Sequence, residues 1–404
     1  MSKTKFCLIL LVVVLLPILL SAKTLKFNFY GHYSYDFLHL NTNSTWNPNA
    51  MFVNSEKDSR LAFNLESRVH FKSIRVLVSP VLTVDHNSKS KLALREATLN
   101  LSFGKLELTA GRAIIKFGTG YMFTPIGIVT PGKQVSDPED FQRGRVGGDL
   151  VKLDYYTENF NLSATVFKKN NWQNVALFAY GNIKGIDVYG ILYYPEYHKL
   201  EYGFAVATTI GDAVEVHAEA MMFRRAPVLH HLVYFADQPG MVYPQSPLVQ
   251  PQDGYYKEFL LGTNITVKQI NIIAEYYHND WGLKKQWWSR LKTHFDYNLN
   301  RTDGPPDFLN VTADLEILAQ SKRGLFRDYL FLRAWKSYKN VDLSTIFFVN
   351  LADGSFLSLL QLDYSLSDRI SAYIQPLYFS GKSGSEFGAS FYASSLQIGF
   401  RLAL

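Results

Sequence analysis

Six charged residues, Lys133, Asp137, Glu139, Asp140, Arg143 and Arg145, crowd into one stretch of a 404-residue chain. They lie within a segment with three prolines and several glycines, GRAIIKFGTGYMFTPIGIVTPGKQVSDPEDFQRGR, which is a shaped loop rather than a regular element. Charges of both signs on such a loop do no acid–base chemistry by themselves. If the loop narrows a pore, they set the ion preference. Nucleophilic catalysis would need a serine, a histidine and an acid gathered at one place. No G-x-S-x-G occurs, and His217 with Glu219 is a lone pair on an alternating segment, so an enzyme is not expected. His230-His231 has a metal-ligand residue type, but no cysteine or close carboxylate joins it in sequence, so neither metal nor cofactor is expected.

The elements that must carry these residues alternate with a period of two. Leu61, Phe63, Leu65, Val69 and Phe71 share one parity, and Arg60, Asn64, Glu66, Arg68 and His70 the other. Val214, Val216, Ala218 and Ala220 oppose Glu215, His217 and Glu219 in the same way. Eighteen such segments start near residues 25, 58, 74, 92, 105, 147, 160, 173, 185, 199, 213, 256, 269, 325, 340, 356, 369 and 393. Their length of about 9–13 residues is what a tilted membrane strand requires.

Connections alternate between tight and long. Lys72-Ser73, Gly211-Asp212, Lys268-Gln269 and Ser367-Asp368 are tight; roughly 38–57, 117–146, 224–255 and 280–324 are long. Short turns on one rim and long loops on the other are the pattern of an outer-membrane barrel. In lipid every backbone polar group must be paired, so the sheet has to close. The sequence therefore predicts an all-β fold: a transmembrane antiparallel β-barrel of eighteen strands, with sixteen as the alternative count, and long external loops. The last segment, Leu396 to Leu404, places Leu396, Ile398, Phe400, Leu402 and Leu404 toward lipid and Gln397 and Arg401 toward water. It resembles the terminal strand of bacterial outer-membrane barrels, although those finish in an aromatic residue and this one in Leu404.

Parity assigns the lumen. Arg60, Glu66, Arg68, Arg75, Glu96, Glu107, Arg112, Lys152, Asp154, Asp187, Glu201, Glu215, Glu219, Glu258, Glu275, Asp342, Asp363 and Arg401 are expected to face it. A wall of this kind is expected to be lined by water and charge pairs rather than packed apolar side chains. Tyr33, Tyr155, Tyr194, Tyr277 and Tyr378 lie near strand ends, where interfacial girdles belong.

Residues 1–22 read as a secretory signal: Lys3 and Lys5, an apolar run from Phe6 to Leu20, then Ser21-Ala22. Residues 23–404 form the barrel domain. Cys7 is the sole cysteine and lies in the signal, so the exported chain has no disulfide. The formal charge of +6 falls by two when Lys3 and Lys5 leave, and no run of five basic residues follows, so no nucleic-acid partner is expected.

Gly111-Arg112, Phe117-Gly118, Thr124-Pro125, Asp137-Pro138-Glu139 and the preceding Leu94-Arg95-Glu96-Ala97 resemble a group of porin-like outer-membrane proteins, distantly alginate-export-like. The resemblance covers about 60 residues. It implies a barrel and passive transport. The expected function is a porin-type channel for small polar or charged solutes in the outer membrane of a diderm bacterium. The alternatives are an exporter of polysaccharide or hydrophobic compounds and a non-conducting adhesin or structural barrel. Expected partners are outer-membrane lipid and lipopolysaccharide, small solutes and the barrel-insertion machinery, with the protein a monomer or a trimer. Residues 281–323 combine Trp281, Trp287 and Trp288 with Lys284, Lys285, Arg290 and Lys292, and are expected to rest on lipopolysaccharide or on the barrel mouth, with binding of carbohydrate or anionic surface lipid as the alternative and one short helix over 311–322.

Overall fold

Every strand hydrogen-bonds to the strand before it and the strand after it, and the last returns to the first. The computed structural model describes residues 24–53, 55–85, 89–129, 132–133, 140, 145–169, 172–195, 199–235, 247–251, 253–300, 307–320 and 324–404. The segment read as a signal lies outside them. Among the described residues the barrel strands are β1 Thr24–Leu40, β2 Lys57–Phe71, β3 Ile74–Asp85, β4 Ser90–Phe103, β5 Leu106–Ala113 and β6 Gly148–Tyr156. There follow β7 Phe160–Lys169, β8 Trp172–Ile183, β9 Ile186–Tyr194, β10 Glu201–Ile210, β11 Val214–Phe223 and β12 Tyr256–Val267. The last six are β13 Ile270–Asn279, β14 Asp328–Tyr338, β15 Val341–Asn350, β16 Phe356–Ser365, β17 Ile370–Ser380 and β18 Tyr392–Ala403. All pairings are antiparallel, and β1 closes on β18 with Tyr30 opposite Ala403 and Phe37 opposite Leu396. Of the two expected counts, eighteen is the one observed.

Tight turns hold the strands at one rim. Lys184-Gly185 and Lys268-Gln269 are two-residue connections with both residues at positive φ (53° and 84°; 47° and 66°), the twist that matches antiparallel strands. Gln269 has a Cβ in this left-handed region, at a cost of roughly 1–2 kcal/mol. Gln269→Gly is therefore expected to raise the unfolding free energy by about 1 kcal/mol, read from urea denaturation in lipid vesicles; a loss of stability would contradict the turn assignment.

The outward face is apolar around the circumference: Phe27, Leu65, Leu153, Leu162, Leu177, Phe204, Leu261, Leu343, Leu360 and Phe400 are all exposed. On β18, Leu396, Ile398 and Phe400 are exposed as expected, as is Leu404 just past its end, and Leu402 is partly exposed, while Gln397 donates to Asp36 (2.7 Å) and Arg401 pairs with Asp363.

Three expectations are corrected. Arg112 faces outward. Glu107 and Thr109 point inward opposite Asp154 and Lys152, so Arg112 has the other parity, and it pairs with Asp149 (2.7 Å) directly across the outward face. The single external helix is two: α1 Lys285–Leu299 and α2 Phe308–Gln320. α1 buries Trp288, Leu291, Phe295 and Leu299, a stripe at helical spacing within an otherwise polar segment. Third, the lumen is not lined by charge alone. One apolar cluster joins Leu260, Tyr277, Phe331, Ile346 and Phe348 of the wall to Phe123 of the loop after β5 and to Trp288, Leu291 and Phe295 of α1. A second joins Phe167, Phe178, Ile191 and Met221 to Phe117 and Ile126. The inner faces of these strands carry apolar side chains at the loop end because loops and helices pack inside the mouth there.

Candidate functional site

The loop after β5 runs into the lumen and is pinned there by two wall carboxylates. Glu219 of β11 accepts hydrogen bonds from the backbone N–H of Thr119, from that of Gly120 (2.7 Å) and from the Thr119 hydroxyl (3.1 Å). Glu275 of β13 accepts from the N–H groups of Tyr121, Met122 (2.9 Å) and Phe123 (3.3 Å). Successive N–H groups converging on a carboxylate form an anion nest, here with the anion supplied by the wall. Both acids are almost fully buried, at 2% and 0% exposed, so their hydrogen bonds are made in a medium where charge-assisted bonds are strong. The backbone reaches them because Gly118 has no side chain: it sits at φ +95°, and a Cβ would lie 2.5 Å from Glu219 Oε1. His217 Nε2 lies 3.3 Å from Glu275 Oε1. Its ring occupies the space over Gly262, its direct partner on β12, where a Cβ would overlap Nε2.

Aromatic contacts fix the rest of the segment. Phe123 stacks on Tyr277 at 4.1 Å and 3°, and Phe117 lies 4.3 Å from Phe178. The Tyr121 ring carries two cations: Lys133 Nζ is 3.6 Å and the Arg333 guanidinium 4.9 Å from its centroid. Further along, Asp140 is buried, accepts from Arg95 (2.7 Å) and takes the N–H of Arg145 (2.9 Å). Arg95 points inward beside Glu96 because β4 has a bulge there: Ser79 pairs with Glu96, but Pro80 pairs with Leu94.

Of the six loop charges, Lys133, Asp140 and Arg145 are therefore brought to the lumen. Asp137, Glu139 and Arg143 lie outside the described residues. The wall charges other than Arg112 face inward, several as pairs: Glu66 with Arg68 (2.6 Å), Arg75 with Glu107 (2.5 Å), Lys152 with Asp154 (2.9 Å). Arg60 has the same parity as Glu66 on β2, Glu96 accepts from the N–H of Ile114 (3.1 Å), and Glu215 lies 3.5 Å from His217. Tyr121 and Arg333 were not singled out in the sequence, and Arg95 only as part of the Leu94-Arg95-Glu96-Ala97 motif, not as a lumen residue. The adjacent charges Arg95-Glu96 in an alternating strand were the one available signal for the bulge.

Two cavities flank the loop. The inner one, about 710 Å³, reaches from Asp140 and Asn64 past Arg333, Asp342, Asp363 and Arg401 to the tight-turn rim at Asp368 and Arg369. The outer one, about 450 Å³, lies under α2 and is bounded by Ile128, Val129, Phe223, Trp281 and Leu325.

Above the outer cavity the external segments clasp one another. His231 Nε2 lies 3.0 Å from Asp314 Oδ1, and His294 Nδ1 lies 2.9 Å from Asp314 Oδ2, all three residues being fully buried. A carboxylate does reach His231 of that pair, from α2, where sequence separation hid it, while His230 packs against Trp287 instead. The Val233 N–H donates to His231 Nδ1 (3.1 Å), which puts the ring proton on Nε2, facing the acid. That is the arrangement of a hydrogen-bonded clasp between α1, α2 and the 230–231 segment. In the 381–391 loop, Glu386 accepts from Leu325 N–H (2.8 Å), Tyr329 Oη (2.7 Å) and Asn350 Nδ2 (2.9 Å), and burial pushes its pKa up to about 7.

No protein-family profile matches the sequence, and no curated protein sequence matches it. Solved structures do match its fold. OccK5 (OpdH) of Pseudomonas aeruginosa is 8% identical, with 95% of this chain and 99% of that chain covered and a TM-score of 0.58. OccK2 (OpdF) of the same organism, solved in complex with glucuronate, is 9% identical over 95% and 98%, TM-score 0.58. OccAB1 of Acinetobacter baumannii is 8% identical over 95% and 97%, TM-score 0.57. At such identities the likeness is one of fold.

Proposed function

We propose that this eighteen-stranded barrel is a passive diffusion channel of the bacterial outer membrane for small polar or charged solutes, and not an enzyme. The observation that carries the reading is the loop after β5, drawn into the lumen by Glu219 and Glu275 with a cavity on either side of it. A structural or adhesive barrel has no need to hold a charged loop across its own lumen by two buried acids. Lys133, Asp137, Glu139, Asp140, Arg143 and Arg145 form the constriction set in this reading, with Arg60, Glu66, Arg68, Arg75, Glu96, Glu107, Lys152, Asp154, Glu215 and Arg401 along the wall. The fold it shares with a barrel solved holding glucuronate is consistent with passage of a small polar solute. Residues 1–22 direct export, the insertion machinery places the barrel, and the outer rim, where Arg112 and Asp149 lie on the outward face, meets lipopolysaccharide.

Purified protein in a planar bilayer tests this. Discrete conductance steps, proportional in number to protein added, are expected. Silence at high protein density, with the barrel folded by its heat-modifiable mobility, overturns the channel and leaves the structural or adhesive barrel.

A further inference from the structure

Trp335 of β14 departs from the rule that large exposed apolar side chains face lipid. It is 40% exposed, yet it points into the lumen. It has the parity of Phe331 and Arg333, and Phe331 is the direct partner of the inward Glu275. Phe331, Tyr277 and Phe348 also face inward, but they are buried beneath the loop and the helices. Trp335 is left bare in the wall of the inner cavity. An indole face in water is an unfavourable surface that a solute with an apolar side can cover.

Strand register sets what surrounds it. Trp335 lies directly opposite Ser344 of β15, and Ser344 opposite Gln361 of β16. Both partners are almost fully buried, so they floor the patch. Two residues nearer the tight-turn rim, Asp342 lies directly opposite Asp363. With strands about 4.8 Å apart and alternate residues about 7 Å apart, the five side chains span three strands and two rows. That area matches one ring with its substituents. Two like charges directly opposite are unfavourable unless each is compensated. Arg401 and Gln361 donate to Asp363, whose side chain is still 13% exposed. Asp342 is partly exposed, and the Ser337 hydroxyl is its one hydrogen-bond partner among the described residues. A carboxylate has about four acceptor positions, so most of its capacity is unused. On the loop side Arg333 borders the patch, donating to Ser344 Oγ (3.3 Å) and lying 6.0 Å from the Trp335 ring. The same guanidinium lies over Tyr121, so the patch comes directly after the constriction. Two carboxylates and two guanidiniums cancel there, and neither a cation nor an anion gains from entering.

We propose that this patch is a subsite for a neutral polyhydroxylated solute with one apolar face, the chemistry of a pyranose sugar. The C–H face of the ring covers the Trp335 indole. Neighbouring hydroxyls donate to the Asp342 and Asp363 carboxylates and accept from Arg333. The inner cavity, at about 710 Å³, has room for the ring and for water around it. The subsite deepens the channel reading and rests on it only for the route by which the solute arrives.

The test titrates methyl β-D-glucopyranoside calorimetrically into the folded barrel in detergent. Saturable binding is expected. Trp335→Ala is expected to weaken it about threefold to tenfold, the scale of one aromatic contact, and Trp335→Phe to fall between. Asp342→Asn exchanges a charged acceptor for a neutral one and is expected to weaken it about fivefold. None of these changes touches strand pairing, and heat-modifiable mobility checks that each variant is folded. Glucosamine and glucuronate are expected to bind more weakly than the glucoside. Tighter binding of glucosamine makes the patch a cation site, and tighter binding of glucuronate an anion site; either overturns the proposal. So does the absence of saturable heat, or an unchanged affinity in folded Trp335→Ala or Asp342→Asn. Binding without conductance retains the subsite and sinks the channel; conductance without binding does the reverse.

Discussion

Replacing Glu219 and Glu275 together by alanine is expected to raise single-channel conductance several-fold. The two carboxylates accept the N–H groups of Thr119, Gly120, Tyr121, Met122 and Phe123, which have no strand of their own to pair with. Hydrogen bonds to a charged acceptor contribute about 1.5–3 kcal/mol each when not counted additively. Losing one acid therefore destabilises the inward conformation by about 2–4 kcal/mol, and losing both exceeds what the Phe117 and Phe123 ring contacts supply. The barrel wall itself loses no strand pairing, so folding is expected to survive, seen as unchanged heat-modifiable mobility. Glu275→Gln retains one acceptor oxygen and is expected to fall between. The measurement is step height in 1 M KCl. An unchanged step in the folded double variant would mean that the loop does not limit the current.

A variant that touches neither acid probes the same anchor. Gly262→Val puts a side chain where the His217 ring lies, displaces the ring and with it a partner of Glu275. The same increase in step height, smaller than in the double variant, is expected.

The strand count was legible because lipid imposes it. An outward face that must be apolar beside an inward face that tolerates charge produces a period of two, and Leu61–Phe71 or Val214–Ala220 show it without tertiary information. What fills the lumen was not legible, for the complementary reason. On β15 the run Ile346-Phe347-Phe348 is apolar on both faces, which erases the alternation. Phe347 is exposed outward, while Phe348 is buried against Tyr329 and Phe387 inside. Such a two-sided apolar strand is the sign that something packs within the barrel, but it does not say what. The anchors were hidden by distance in sequence: Thr119 and Glu219 are 100 residues apart, Tyr121 and Glu275 154. Glu219 and Glu275 could be placed on the wet face by parity, but a carboxylate receiving backbone N–H groups looks the same in sequence as one facing water. Arg112 failed for a different reason: a charge near the outer strand end is tolerated on the outward face, so charge alone does not report the side there.

Arg333→Glu is expected to shift the permeability ratio toward cations by about threefold to tenfold. Arg333 faces the inner cavity from β14 and lies over the same Tyr121 ring as Lys133, so a permeating ion passing the loop meets two cations on one side. Asp140, the acid across the cavity, is already paired with Arg95. At a dielectric near that of water, a charge about 5 Å from the ion contributes ~0.8 kcal/mol, and reversal changes this by ~1.6 kcal/mol, or about fifteenfold before screening. Salt at 0.1 M has a screening length of about 10 Å and reduces the effect only in part; at 1 M the length is about 3 Å and most of the shift is expected to vanish. Arg333→Gln should give about half the shift in free energy, and Arg333→Lys none, which separates charge from the loss of ring contact. The reversal potential across a KCl gradient reads all three. A potential that stays put in Arg333→Glu at low salt would place the ion path away from the Tyr121 ring, and with it the constriction set along the loop.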